Sequence, residues 1–329
     1  MNVLITGGTG FIGSRLALRS TTRGHSVVVL GQVNTEAEKF NRRKLEEAHV
    51  GLVMGSVNEP DKIRMAMQGR DVVFHLAAAQ HEANVLDQHF WDVNVAGTTN
   101  ILEAAVETGV KRFVYGSTIG VYGSAMEGEI DENSIVRPDN IYGKTKLEAE
   151  KRVLACADKM PVVIVRISET YGPGDRRLLK LFKAIDKRLF FMIGDGENKH
   201  QLIFVDDLID GLYRAAEEEQ AVGELFTLAG REVVTTHEMV VAIAAALNAR
   251  LPRWHAPLWP FMMAAIVMEK MLLPFGVQPP LHRRRMDFFR KSFYFSREKA
   301  KKLLEFEPSV SFVDGIAETT KWYKANGYL

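Results

Sequence analysis

Short, continuous apolar runs alternate with helical stretches through the first half of the chain. NVLIT (2–6), SVVVL (26–30), VGLVMG (50–55), DVVFHLA (71–77), RFVYGS (112–117) and PVVIVRI (161–167) are rich in β-branched residues. They are too uniformly apolar for strands with one wet face, and so predict buried strands of a parallel sheet. Helical spacing marks the intervening stretches: GSRLALRSTTRG, closed by Gly24, DVNVAGTTNILEAAVETG, closed by Gly109, and a segment around Tyr142. Glycine just past a helical run is a normal stop, because it enters a left-handed conformation at no steric cost. The alternation predicts a doubly wound α/β sheet of Rossmann type over residues 1–168.

From about residue 169 that rhythm is lost and Pro173, Pro252, Pro257, Pro260, Pro274, Pro279, Pro280 and Pro308 punctuate the chain. Residues 169–329 are expected to form a smaller, mostly helical substrate-binding domain, with later segments free to return to the first. No repeat, low-complexity tract or flexible linker separates the two, so close packing with a cleft between them is expected. The most apolar run, APLWPFMMAAIVM (256–268), is broken by Pro260 and ends at Glu269 and Lys270. That is well short of the ~20 apolar residues a spanning helix needs. It predicts a buried or lid helix in preference to a peripheral membrane contact.

Charge narrows the partners. With 42 Lys+Arg against 41 Asp+Glu, the chain has no global field that would attract nucleic acid or an anionic membrane, which leaves a small molecule as the expected partner. A single cysteine, Cys156, excludes an internal disulfide and any Cys-based metal cluster, and fits a reducing compartment. The opening MNVLITGG has no basic leader before its first strand, so a cytoplasmic location is expected.

Candidate chemistry begins in LITGGTGFIGSRL, where Gly7, Gly8, Gly10 and Gly13 follow the first strand and open a helix. Such a turn lets backbone approach a pyrophosphate with no Cβ in the way, and the helix N-terminus then offers N–H groups to negative charge. An acidic residue about 20 positions further would hold the adenosine ribose of NAD. Gly31 stands there instead, followed by Gln32. The missing carboxylate removes repulsion towards a 2′-phosphate, but no arginine follows directly. Arg15, Arg42, Arg43 and Lys44 are the nearest cations, so NAD and NADP both stay open.

The dipeptide Tyr-Gly occurs at Tyr115, Tyr122, Tyr142 and Tyr171, and only Tyr142 has a lysine four residues on, Lys146. On a helix these two positions share one face, about 5–6 Å apart at Cβ. A nearby ammonium favours the phenolate and lowers a tyrosine pKa from about 10 towards neutrality. A secondary alcohol that gives hydride to a nicotinamide must also lose its hydroxyl proton, which such a tyrosine can take.

In order along nearly the whole chain, TGGTGFIG, HLAAA (75–79), VNVAGTTN (93–100), GSTIGVYG (116–123), YGKTK (142–146), RISETYGPGD (166–175) and IFVDDL (203–208) resemble the extended short-chain dehydrogenase/reductase family, its NAD-dependent epimerase/dehydratase group. The final forty residues also look like its 3β-hydroxysteroid-dehydrogenase-like branch. The resemblance implies that Tyr142 is the acid/base and Lys146 its pKa-lowering, ribose-binding partner, with Thr118 hydrogen-bonding the reacting oxygen. It implies cofactor contacts from Gly7, Gly10, Phe11, Ile12, Gly13, Gly31, Gln32, Ser56, Val57, Leu76, Ala77, Ala78 and Ile167, with Asn94 behind the site. Substrate contacts are expected from Gln80, Thr118, Tyr122, Glu169, His200 and Arg285, while Tyr171 is structural. A homodimer through helices near 94–108 and 141–157 is implied as well.

Two substrate classes stay open. Arg176, Arg177 and Arg283 to Arg285 suit the diphosphate of a nucleotide sugar, the favoured class, on which an epimerase would withdraw hydride and return it to the other face. His200, where many sugar-nucleotide enzymes carry an arginine, and the Met- and Trp-rich helix favour an apolar alcohol of hydroxysteroid kind. A silent NAD(P)-binding scaffold is the alternative from another class; Tyr142, Lys146 and Thr118 argue against it. GKT (143–145) lacks the upstream glycine of a phosphate loop, and HEANV (81–85) lacks the second histidine of a zinc site, so no metal is expected.

Overall fold

A computed structural model of the chain describes residues 1–80, 85–123, 128–252, 255–272, 286–289 and 292–329. Seven parallel strands form its central sheet: β1 (Asn2–Thr6), β2 (Ser26–Gly31), β3 (Gly51–Met54), β4 (Val72–His75), β5 (Arg112–Thr118), β6 (Val162–Ile167) and β7 (Leu225–Leu228). Their order is β7-β6-β5-β4-β1-β2-β3. The order in which strands are added reverses between β1 and β4, which places their carboxyl ends beside the crevice where ligands bind in such sheets.

Alternation along each strand fills both faces, which explains the unbroken apolar runs. Val3, Ile5, Val29, Val163 and Val165 enter one core, whereas Leu4, Leu30, Val73, Val162 and Ile164 enter the other. Helices α1 (Phe11–Thr22) and α2 (Glu36–Glu47) cover the first face; α3 (Pro60–Met67) covers the second. The second face also receives a helical stretch over residues 87–107, here α4, and α5 (Ile141–Leu154). Within α4, Asp92–Ala96 form a π-helical turn between α-helical segments. Such one-turn widenings occur frequently at functional sites.

The second half then continues with α6 (Leu179–Asp186), α7 (Val205–Glu217), α8 (Thr236–Leu247), α9 (Leu258–Leu272), α10 (Glu298–Leu304) and α11 (Phe312–Ala325). Part of it returns to the sheet. Strand β7 pairs with β6, Leu225 opposite Ile164, and α7 and α10 bury Leu208, Leu212, Ala300 and Leu304 in the first-face core. These later segments thus return to the sheet of residues 1–168, a return the sequence left open. The buried Asp207 of α7 also accepts hydrogen bonds from Ser309 N, Ser309 Oγ and Val310 N, pinning the C-terminal segment. Helices α6, α8 and α11 build a separate core around Phe182, Met239, Ile243, Ile316 and Tyr323.

The apolar run becomes α9, yet it is not a buried helix. Trp259, Met263, Val267 and Met271 are exposed at 70%, 55%, 48% and 64%, a stripe at four-residue spacing. Among the described residues no helix is long and apolar enough to cross a membrane.

Candidate active site

At the carboxyl ends of β1, β4 and β5 lies an open cleft of about 1260 Å³. Its floor is the glycine turn. Gly7 sits at φ +67°, and a Cβ there would stand 2.7 Å from the backbone of Ala77, so only glycine lets the loop after β4 pass. A Cβ on Gly13 would stand 2.4 Å from Gly7 O, so this glycine brings α1 down onto the turn. At Gly10 the added Cβ would meet only Gly7 O, at 3.2 Å; the remaining space is cleft. Gly10 caps α1 without a side-chain hydrogen bond, and the first turn holds no acidic residue. The N–H groups of Phe11, Ile12 and Gly13 thus open onto the cleft with no intrahelical acceptor, as a pyrophosphate requires.

Gly31, Gln32, Ser56 and Val57, expected to hold adenosine, line the end of the cleft beside β2 and β3; Leu76, Ala77, Ala78 and Ile167 line the middle. Asn94 is fully buried behind the cleft and does not line it. From the π turn its Oδ1 accepts from Ala79 N at 2.8 Å, and its Nδ2 donates to Ala79 O at 3.2 Å and Thr145 Oγ1 at 2.9 Å. It ties the loop after β4 to α5. The cations weighed for a 2′-phosphate are engaged elsewhere. Arg15 forms a bidentate pair with Asp206, Arg42 pairs with Glu46 and Lys44 with Glu47, and Arg43 lies 5.9 Å from the Phe40 ring.

Thr118 ends β5, and its Oγ1 accepts from Gly120 N at 3.0 Å. Asn140 caps α5 through Gly143 N at 3.0 Å. A Cβ on Gly143 would stand 2.6 Å from Gly120 O, so the glycine after Tyr142 lets the helix start press onto the turn after β5. Tyr142 thereby lies beside Thr118, whose hydroxyl acts on its phenol. One turn further along α5, Lys146 is 1% exposed, donates to Gly116 O at 2.7 Å and stands 4.1 Å above the Tyr115 ring. Thr118, Tyr142 and Lys146 all line the cleft.

The electrostatics depart from the expectation built on spacing. Burial pushes the Tyr142 phenol up to about 12, with the Thr118 hydrogen bond pulling the other way. Burial pulls the Lys146 ammonium down to about 7, opposed by the charge of Glu150. Desolvation is the largest cause of both shifts, and the ammonium donates to Gly116 O.

Fully buried His75, between Thr6 Oγ1 at 2.6 Å and Thr98 Oγ1 at 2.9 Å, is pushed down to about 3 by burial and then by Lys146. Between about pH 3 and an ordinary histidine pKa near 6.5, the unfolded chain binds a proton that the folded one does not. Stability must rise with pH across that window and fall as the solution is acidified, by up to about 5 kcal/mol. Denaturant unfolding at pH 6.5 and pH 4.5 tests it. The wild type should lose roughly 2–3 kcal/mol more than His75→Gln, which lacks the titrating ring; equal losses would refute the assignment.

At the substrate end, Gln80, Glu169 and His200 line the cleft. His200 Nε2 lies 2.9 Å from both Asn198 Nδ2 and Thr236 Oγ1, and Nδ1 faces Glu169 at 3.7 Å. Burial raises the Glu169 carboxyl, but the facing His200 ring and Arg177 more than offset it, bringing it to about 2. Arg177 reaches the cleft with its Nη2 on Thr170 O and its charge acting on Glu169 and Asp175. Arg176 instead lies over the Tyr328 ring at 4.8 Å, and Arg283 to Arg285 fall outside the described residues.

Tyr122 does not line the substrate pocket. It is 1% exposed, and its hydroxyl bonds Asp131 O at 2.9 Å and Thr227 Oγ1 at 3.2 Å. Tyr171 is packed between Phe204 and Phe312. Sequence reading missed Phe288, Phe293 and Phe295, which line this end, and Glu38 at the other.

Known proteins fit this geometry. The sequence model of the NAD dependent epimerase/dehydratase family matches residues 3–229. A UDP-glucose 4-epimerase of Vibrio cholerae is 31% identical over 272 residues, covering 78% of each chain. The decarboxylating sterol-4-alpha-carboxylate 3-dehydrogenase of Mus musculus is 26% identical, over 96% of this chain and 89% of its own. Among solved structures, the epimerase Mth375 of Methanothermobacter thermautotrophicus superposes with a TM-score of 0.80 at 27% identity, covering 99% of this chain and 92% of that one.

Proposed function

The chain belongs to the NAD dependent epimerase/dehydratase family, a group of extended short-chain dehydrogenases/reductases, and on that premise we propose that it transfers hydride at a secondary alcohol or ketone carbon of a nucleotide sugar, as a sugar epimerase. One observation carries the reading: Thr118, Tyr142 and Lys146 meet at one end of a cleft whose other end is the glycine turn. NAD, when bound, supplies the hydride acceptor. Gly7, Gly10 and the N–H groups of residues 11–13 hold its pyrophosphate, and Lys146 holds its ribose. Tyr142 exchanges a proton with the substrate hydroxyl, which Thr118 orients. The nucleotide-sugar class is supported by the Vibrio cholerae relative, an enzyme of that kind.

A second reading, an apolar alcohol, is favoured by the substrate end itself. Phe288, Phe293 and Phe295 line it, its described arginine is flanked by Glu169 and Asp175, and α9 contributes Glu269 beside an exposed apolar stripe. An epimerase recycles its cofactor, whereas a net dehydrogenase must exchange it. Denaturing the purified protein should therefore release close to one dinucleotide per chain, and a panel should show turnover of nucleotide sugars and not of hydroxysteroids. Protein free of dinucleotide that turns over only hydroxysteroids would replace the first reading with the second.

A further inference from the structure

We propose that Glu38, on α2, is the residue that reserves the adenosine end of the cleft for a ribose with a free 2′-hydroxyl, a task that a side chain at position 31 cannot perform in this protein. The proposal rests on the cleft being a dinucleotide site. A Cβ at Gly31 would stand 2.8 Å from Thr9 Oγ1 and 3.1 Å from Thr9 Cγ2. Thr9 cannot easily yield, because its hydroxyl donates to Gln32 O at 2.7 Å and its carbonyl accepts from Asn41 Nδ2 at 2.9 Å. The end of β2 is thus closed to a carboxylate by packing.

The carboxylate arrives from the next helix. Glu38 lines the same end of the cleft as Gly31, Gln32 and Asn34. Its Oε2 accepts from Asn34 N at 2.8 Å and Thr35 Oγ1 at 3.0 Å, so it is held in place as part of the α2 cap. Its Oε1 carries no hydrogen bond from the described residues and is free to accept from a ribose hydroxyl. No lysine or arginine lines this end among the described residues. A 2′-phosphate, carrying close to two negative charges, would meet a fixed anion with no lysine or arginine among the described lining residues beside it.

Fluorescence titration of the full-length protein with NADH and NADPH, after removal of any co-purified dinucleotide, tests this without reference to substrate. The wild type should bind NADH at least tenfold tighter than NADPH. Glu38→Gln removes the charge and keeps a residue suited to the cap; it should raise the affinity for NADPH relative to NADH by tenfold or more. Thr35→Ala loosens the same cap but keeps the charge, and should leave the ratio unchanged. A folded Glu38→Gln protein with the wild-type ratio, or an equal shift in Thr35→Ala, overturns the role of the Glu38 charge. A wild type that binds neither dinucleotide overturns the cofactor reading itself.

Discussion

Tyr142→Phe should lower turnover by about a thousandfold or more while leaving NADH affinity within a few-fold of the wild type, since a positioned acid/base contributes about 10²–10⁴ in rate. The phenol hydroxyl supports little else. Helix α5 is anchored independently of it, by the Asn140 cap and by Lys146 on Gly116 O. Phenylalanine keeps the ring and removes only the proton carrier. Thr118→Ala should cost less, because it orients the reacting oxygen without carrying its proton. Lys146→Met should weaken NADH binding as well as rate, since one ammonium serves both. Steady-state kcat and NADH titration of the three variants check the pattern, and undiminished turnover in Tyr142→Phe would remove the catalytic assignment. Burial raises the phenol to about 12 in the free protein, so Tyr142 carries its proton there at neutral pH.

What the sequence disclosed of this site is what lies close along the chain. The glycine turn spans seven residues and the Tyr142–Lys146 pair a single helical turn, so spacing alone predicts their geometry. The strands were legible because strands buried on both faces read as unbroken apolar runs. Strand β7 was not: it is four residues long and stands where the strand and helix rhythm has ended. Tyr122 was assigned to the pocket by resemblance, whereas burial turns it away from the cleft. Nor could spacing predict how far burial would shift Tyr142 and Lys146, because desolvation depends on atoms contributed by distant segments. Glu38 was hidden because its usual counterpart sits at a strand end, and its α2 position acquires meaning only once Thr9 is seen to close position 31.

Glu150 and Arg166 show the same dependence on docking, and removing one of them should have the largest effect on stability. They lie on α5 and β6, exposed at only 3% and 5%, and form a bidentate pair at 3.0 and 2.8 Å. Glu150 Oε1 also accepts from Ser117 Oγ at 2.5 Å. Glu150→Met would leave the Arg166 guanidinium buried, with Nη1 already lacking a partner and the Tyr122 ring 4.8 Å away, at a cost of about 3–5 kcal/mol. The double variant Glu150→Met, Arg166→Met removes both charges and should recover most of that loss. It should not recover Lys146. Among the described residues, the charged or titratable groups that face this ammonium are Glu150 on α5, His75 on β4 and Tyr115 on β5. Of these, the Glu150 charge is what holds the lysine up against burial. Without it the Lys146 pKa drops below about 7, and the ammonium form, present below that pKa, is lost at a lower pH. The alkaline limb of NADH binding should therefore move to lower pH in both variants, while only the single variant is strongly destabilised in urea. A double variant as unstable as the single one would contradict the buried-charge account, and an unmoved alkaline limb would separate Glu150 from the state of Lys146.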